Sequence, residues 1–148
     1  MRIELLDSRR LTGPNLFWDH PGAILDVAVD ADSTGRLTSA WSKEVGVLME
    51  AVGWPPGLIQ SRVFDGGVNL VINAPIDVLY SACEVNETAF KRAVAILDGE
   101  PPGDLHAAIL TLRELVAAEA KPALLAMRAA AAGDHVAFLW DDDAVSVG

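Results

Sequence analysis

The residues best suited to binding a ligand lie close together near the start of the chain, in the string from Arg10 to Asn15, which reads RLTGPN. A guanidinium such as that of Arg10 can bind a carboxylate through two parallel hydrogen bonds. The Gly-Pro-Asn loop exposes main-chain groups and places the amide of Asn15 beside them. Trp18 stands before a second Pro-Gly turn, where an indole could line a peptide groove. We therefore predict Arg10, Gly13, Asn15 and Trp18 as substrate-binding residues, with a purely structural turn as the alternative.

Other residue types that catalyse reactions lack the spacing that catalysis requires. The sequence has no Gly-x-Ser-x-Gly string around a nucleophile and no Gly-x-x-x-x-Gly-Lys-Ser/Thr loop for phosphates. His20, His106 and His135 are far apart in the sequence, so we predict surface positions for them rather than a zinc site. Cys83 is predicted to be a small core residue of an apolar strand. The sequence thus predicts no catalytic residue, no metal and no cofactor in this domain.

Composition and charge narrow the class of partner. A chain of 148 residues with 51% hydrophobic residues has the size of one domain and can bury a core. Its 11 Lys and Arg against 21 Asp and Glu give a net charge of −10, which repels nucleic acid and could attract a cationic peptide. The single cysteine rules out an internal disulfide, and we find neither a signal peptide nor a membrane-spanning apolar run. A cytoplasmic protein without a membrane partner is predicted.

The first half of the chain alternates strand and helix patterns. Arg2 to Leu11 and Ala23 to Val29 are predicted strands that pair around the Gly-Pro-Asn loop. From Leu37 to Val52, apolar residues recur at three-residue and four-residue intervals, which predicts a helix. Ser61 to Phe64 and Val68 to Ile72 flank an Asp-Gly-Gly turn and predict a hairpin.

The second half predicts one further strand from Val78 to Val85, followed by a helix whose N-cap is Asn86. Asp104 is predicted to cap another helix, which ends near Ala120, and Val136 to Trp140 is a predicted short strand. Hairpin strands outnumber strand-helix-strand units. We therefore predict a single α+β domain with a mixed or mostly antiparallel sheet of about five or six strands and helices packed on one face.

The order of these elements and the string from Arg10 to Asn15 resemble the N-terminal domain of cyanophycin synthetase and related proteins of the Mur ligase family, which open with an Arg-x-x-Gly-Pro-Asn signature. The resemblance extends to Trp140. It implies a noncatalytic accessory domain over residues 1–140 and an acidic linker over residues 141–148, leading to ligase domains that lie outside this chain. Such domains use ATP to join amino acids to a peptide or polymer through an acyl phosphate. The implied partners are that peptide or polymer substrate and the ligase domains.

Two alternatives accompany this interpretation. In some relatives of this family the N-terminal domain carries a His-x-x-Glu-His helix, which could bind zinc. The equivalent string here runs from Trp41 to Val45 and keeps Glu44, but both histidine positions hold apolar residues that the helical pattern assigns to the core. A degenerate metal-dependent peptidase or amidase that uses Glu44 is therefore one alternative. The other is a stand-alone homo-oligomerisation module whose apolar helix faces pair between chains.

Overall fold

The computed structural model describes residues 2–12, 20–54, 58–120, 138–140 and 145–147. A four-stranded sheet has the order β1-β2-β4-β3 with every neighbouring pair antiparallel, and β5 pairs with β6 in a separate two-stranded sheet. This arrangement confirms the predicted α+β class and the antiparallel pairing, but the described strands form two sheets of four and two strands instead of one sheet of five or six. The elements are β1 (Ile3–Leu11), β2 (Gly22–Val29), α1 (Thr34–Ala51), β3 (Ile59–Phe64), β4 (Gly67–Asn73), a 3-10 turn (Ile76–Val78), α2 (Leu79–Leu97), α3 (Leu105–Glu119), β5 (Phe138–Trp140) and β6 (Val145–Val147).

Both predicted hairpins of the first half of the chain are present. β1 pairs with β2, and β3 pairs with β4 across a turn in which Gly66 has a φ of 88°, a conformation that favours glycine. β6 falls within the segment that the sequence predicts as a linker. None of the helices in the described ranges has both the length and the apolar character needed to cross a membrane.

The hydrophobic core lies between one face of the sheet and helices α1 and α2. Side chains alternate across a strand, so every second residue of β2 and β4 points to this core. The helices supply apolar residues at the spacing of one helical face, as predicted for α1. The largest fully buried core side chains from these elements are Leu25, Val27, Leu37, Trp41, Val45, Leu48, Met49, Val68, Leu70 and Ile72.

A polar contact joins three elements at the centre of this core. The indole Nε1 of Trp41 donates a hydrogen bond of 2.8 Å to Oδ1 of Asn86, and Nδ2 of Asn86 donates one of 3.1 Å to the carbonyl of Leu70. Trp41 and Asn86 are 1% and 0% exposed, so each polar group depends on its partner. Trp41 is thus a core residue, as predicted, and it ties α1 to α2 and β4.

The predictions of a strand from Val78 to Val85 and of an N-cap at Asn86 are wrong. Helix α2 already begins at Leu79, and Asn86 lies well inside it. The buried residues Leu79, Ala82 and Val85 are three positions apart, which places them on one side of a helix. The residues from Val78 to Val85 include several that are common in strands. The helical spacing of the buried residues prevails because it continues through the rest of α2. Cys83 consequently lies on a helix, not on a strand.

Helix α3 matches its prediction. The side chain of Asp104 accepts hydrogen bonds from the main-chain N–H groups of His106 (2.9 Å) and Ala107 (3.3 Å), which is the expected N-cap. The last residue of the helix is Glu119, one position before the predicted end. α3 packs mainly against α2, and Leu112 is its fully buried side chain.

Candidate functional site

A groove of about 1200 Å³ opens between the second half of β1, the first half of α2 and the end of α3. Its position depends on an irregularity in β1. Ile3 and Leu5 pair with core-facing residues of β2, but the register then shifts by one residue between Leu5 and Asp7. Such a bulge exchanges the two faces for all residues that follow it.

The bulge places polar side chains of β1 on the helix side of the sheet. Beyond it, Ser8 pairs with Leu25 and Arg10 pairs with Ala23, and both of these partners face the core. Arg9 lies on the opposite face, where its Nη2 donates to both carboxylate oxygens of Asp26 at 3.1 and 3.0 Å. Ser8 and Arg10 therefore lie beside α2, where an uninterrupted strand would have placed Asp7 and Arg9.

Arg10 and Tyr80 form one end of the groove. The guanidinium carbon of Arg10 lies 3.9 Å from the centre of the Tyr80 ring, a cation–π contact. The Tyr80 side chain remains half exposed, at 50%. Leu115 of α3, which is also exposed, lines the same groove. This end thus combines a positive charge with accessible apolar surface.

The carboxylate of Glu119 joins the end of α3 to the start of α2. It accepts hydrogen bonds from the main-chain N–H groups of Tyr80 (3.0 Å) and Ser81 (2.7 Å) and from the Ser81 hydroxyl (2.7 Å). The N-cap residue of α2, Val78, makes no side-chain capping bond. Glu119 therefore satisfies N–H groups that a helix otherwise leaves unpaired at its start.

Two further glutamates make the wall formed by α2 acidic. Glu84 is exposed, and Glu87 accepts a 3.1 Å hydrogen bond from the hydroxyl of Ser8. They are three residues apart on the helix, so their carboxylates lie on the same side of it. Arg10 and these two carboxylates therefore give the groove both positive and negative charge.

Cys83 also lines the groove, directly before Glu84 and one helical turn before Glu87, and it is partly buried. Burial raises its pKa to about 11, and the negative charge of Glu87 acts in the same direction. A hydrogen bond with Ser8 and the positive charge of Arg10 oppose this rise without cancelling it. The thiol is consequently protonated at neutral pH and is a poor nucleophile.

Of the predicted substrate-binding residues, the structure places Arg10 in the groove, whereas Gly13, Asn15 and Trp18 lie outside the described residues. Sequence reasoning missed Tyr80, Glu84, Glu87 and Glu119. The first three are four and three residues apart, which puts them on one helical face. That signal becomes visible only if the helix is predicted to begin at Leu79.

In the helix that carries the string resembling a degenerate zinc motif, Glu44 forms an ion pair. Oε1 of Glu44 accepts a 3.1 Å hydrogen bond from Nε of Arg92, and both side chains are largely buried. Nη1 of Arg92 also donates to the carbonyls of Pro102 and Gly103, which ties α1 and α2 to the loop before α3. In the ranges that the structure describes, no three or more His, Cys, Asp or Glu side chains are grouped so that they could hold a metal ion.

The groove between β1, α2 and α3 brings charged, aromatic and main-chain groups together. No protein-family model matches this sequence, and a comparison with curated proteins gave no match. The groove offers a stacked cation, an exposed aromatic ring, two neighbouring carboxylates and the edge of a strand.

Proposed function

We propose that this chain is a noncatalytic accessory domain of an ATP-dependent amide ligase similar to cyanophycin synthetase, and that it binds the peptide or polymer on which the ligase acts. The observation that carries the binding function is the groove between β1, α2 and α3, with Arg10 stacked on Tyr80 at one end. The ligase context comes from the resemblance of the string Arg10 to Asn15 to the opening signature of that family.

The chemistry of the groove suits a peptide better than a small polar metabolite. Tyr80 and Leu115 offer exposed apolar surface, and aromatic side chains of this kind are frequent anchors in peptide and protein interfaces. Arg10 and the pair Glu84 and Glu87 place opposite charges at different points along the same groove. A peptide can match both the apolar surface and the charges because its side chains are spaced along a chain.

The contacts inside the groove support a role in binding rather than in catalysis. The Cys83 thiol, with its pKa raised to about 11 by burial, holds its proton at neutral pH. The hydroxyl of Ser81 donates to Glu119, and that carboxylate also accepts two main-chain N–H groups. The Ser81 hydroxyl therefore serves the contact between α2 and α3, and the Cys83 thiol is too weakly acidic to act as a nucleophile at neutral pH.

Binding can be tested on the 148-residue chain with fluorescent pools of basic, neutral and acidic hexapeptides, measured by fluorescence anisotropy. We expect at least one pool to bind and the Tyr80→Ala variant to weaken that binding by roughly tenfold or more, because a central aromatic anchor is lost. Val63→Ala is the matched control, since Val63 is also exposed, at 69%, but lies on β3. Equal losses in both variants, or no binding by any pool, would contradict a peptide-binding groove.

The ligase context needs a separate test on the intact product of the gene. We expect this product to hydrolyse ATP when amino acids and a peptide acceptor are present. Tyr80→Ala should raise the KM for the acceptor and leave kcat unchanged, because the groove holds the acceptor away from the reacting atoms. If the intact product shows no amino-acid-dependent ATP hydrolysis, the ligase part of the proposal is wrong.

A further inference from the structure

On the basis of the peptide-binding function proposed above, we infer that the peptide is held as an added β-strand. Its main chain pairs with the outer edge of β1 between Asp7 and Leu11, and a basic side chain of the peptide contacts Glu84 and Glu87. This specifies both the mode of binding and the chemical class of the ligand.

β1 has the position that strand addition requires. It is the terminal strand of the sheet, so β2 pairs with one of its edges and no described strand pairs with the other. The main-chain N–H and C=O groups of such an edge form a template for an extended peptide. β3 is terminal on the opposite side of the sheet, but none of the described residues that line the groove belongs to it.

The edge of β1, and not only one of its faces, borders the groove. Ser8, Arg9 and Arg10 all line it, although successive side chains of a strand point to opposite faces. The guanidinium of Arg9 is held on the far face by Asp26 and by Asp7, whose Oδ2 lies 3.0 Å from its Nε. Arg9 can therefore reach the groove only near its main chain, so the polar edge of the strand faces the open space.

The bulge limits the length of the added strand. A bulge disrupts pairing at an edge, and Leu6, which lies within this one, is 54% exposed. From Asp7 to Leu11 the register with β2 is regular. An added strand consequently has about five residues of β1 available, and a short extended peptide is enough to fill it.

The charges of the opposite wall select a basic side chain. Glu84 and Glu87 lie on one side of α2 and repel each other, so a cation between them lowers their repulsion. Arg10 is stacked on Tyr80 towards the start of α2. The net charge of −10 further favours the approach of a basic peptide.

Alternate N-methylation of a peptide tests the main-chain pairing directly. The probe is the pentapeptide acetyl-Thr-Val-Arg-Val-Thr-amide, and two derivatives carry N-methyl groups on complementary alternate residues. In an added strand, one set of amide N–H groups faces β1 and the other set faces away. We expect one derivative to bind roughly thirtyfold more weakly by titration calorimetry and the other to stay within about twofold of the parent peptide.

The outcomes separate this inference from the proposed function. If the parent pentapeptide binds and loses affinity in Tyr80→Ala, but both methylated derivatives bind alike, strand addition is wrong and peptide binding stands. Failure of the pentapeptide in a protein that binds the neutral or acidic hexapeptide pool overturns the basic preference alone. No binding by any peptide overturns both proposals.

Two further measurements locate the contact. Amide exchange should slow at alternate residues between Asp7 and Leu11 when the pentapeptide binds, because only alternate N–H groups of β1 face outward. The double variant Glu84→Gln, Glu87→Gln should weaken binding of the Arg peptide roughly tenfold and leave its norleucine counterpart unchanged. Glu114→Gln, on the exposed side of α3, is the matched control. Equal affinity of the two peptides for the wild-type chain would overturn the basic preference.

Discussion

The two sides of helix α2 are held by different kinds of contact. The side that faces the sheet and α1 is mostly apolar and closed, and its polar pairs, Trp41 with Asn86 and Glu44 with Arg92, are largely buried and bonded. The side that faces the end of β1 and α3 is joined by a few polar bonds, among them those of Glu87 and Glu119. Packing on the first side determines the fold, whereas bonds on the second side are few enough to leave an open groove.

Helix α3 is attached to the core by fewer buried side chains than α2. Of its residues only Leu112 is fully buried, while α2 buries nine of its residues. The remaining attachments of α3 include the 2.8 Å bond from Nε of Arg113 to the carbonyl of Ala51 and the bonds of Glu119. Because the other apolar residues of α3 that pack on the core, Leu105, Ile109 and Val116, are only partly buried, we expect local opening on the groove side before the core unfolds.

The largest effect should come from the closed side. Trp41→Ala removes a large buried side chain and leaves a cavity, so we expect the free energy of unfolding to fall by about 3–5 kcal/mol in urea denaturation. Tyr80→Ala on the groove side should cost less than about 1 kcal/mol, since Tyr80 is half exposed. Similar losses in both variants would remove the distinction between the two sides.

A smaller loss of stability is expected when the hydrogen bond between Trp41 and Asn86 is removed. Asn86→Ala leaves the indole N–H of Trp41 and the carbonyl of Leu70 without their partner, which should cost about 2–3 kcal/mol. A double-mutant cycle with Trp41→Phe, which lacks the N–H donor, isolates the bond between the two side chains. Strict additivity of the two changes would show that this bond contributes nothing to stability.

Breaking the contact between Glu119 of α3 and the start of α2 should affect amide exchange only near that contact. Glu119→Ala removes the acceptor for two main-chain N–H groups of α2, and we expect a loss of about 1–2 kcal/mol, comparable to the removal of an N-cap. Amide exchange at Tyr80 and Ser81 should accelerate, while exchange in α1 stays unchanged. Glu114→Ala on the same helix is the control, and faster exchange throughout the core would contradict a local joint.

The sequence predicted the fold well where a single local pattern decided it. The β3–β4 hairpin follows from a glycine turn between apolar strands, and the start of α3 follows from the capping preference of Asp104. The face of α1 that carries Trp41 follows from helical periodicity. Each of these signals is contained within a few consecutive residues.

The groove could not be predicted in the same way, because tertiary contacts create it. The bulge in β1 reverses the orientation of Ser8 and Arg10. The sequence near Leu6 contains no glycine or proline that would indicate a bulge. The start of α2 is capped by Glu119, which is 38 residues from Ser81 in the sequence. Arg10 was predicted from its own chemistry, but its aromatic partner Tyr80 depends on both features.

The smallest expected effect concerns Cys83. The alkylation rate of its thiol depends on the electrostatic potential on the groove side of α2. Because its pKa is raised to about 11, alkylation by iodoacetamide should be slow at pH 7.5 and should rise about tenfold per pH unit until that pKa is approached. Glu87→Gln removes a negative charge that disfavours the thiolate, so its pKa should fall and the rate at pH 8.5 should rise roughly threefold.

Ser8→Ala should shift the rate in the opposite direction, because the hydrogen bond with Ser8 favours the thiolate and lowers the pKa of Cys83. Mass spectrometry of the alkylated protein gives both rates, with denatured protein as the reference for an unperturbed thiol. Opposite responses to the two substitutions require that Cys83 senses both Glu87 on its own helix and Ser8 on β1. If neither changes the rate, burial alone sets the pKa, and the acidic wall inferred to select a basic side chain exerts too weak a field at this point.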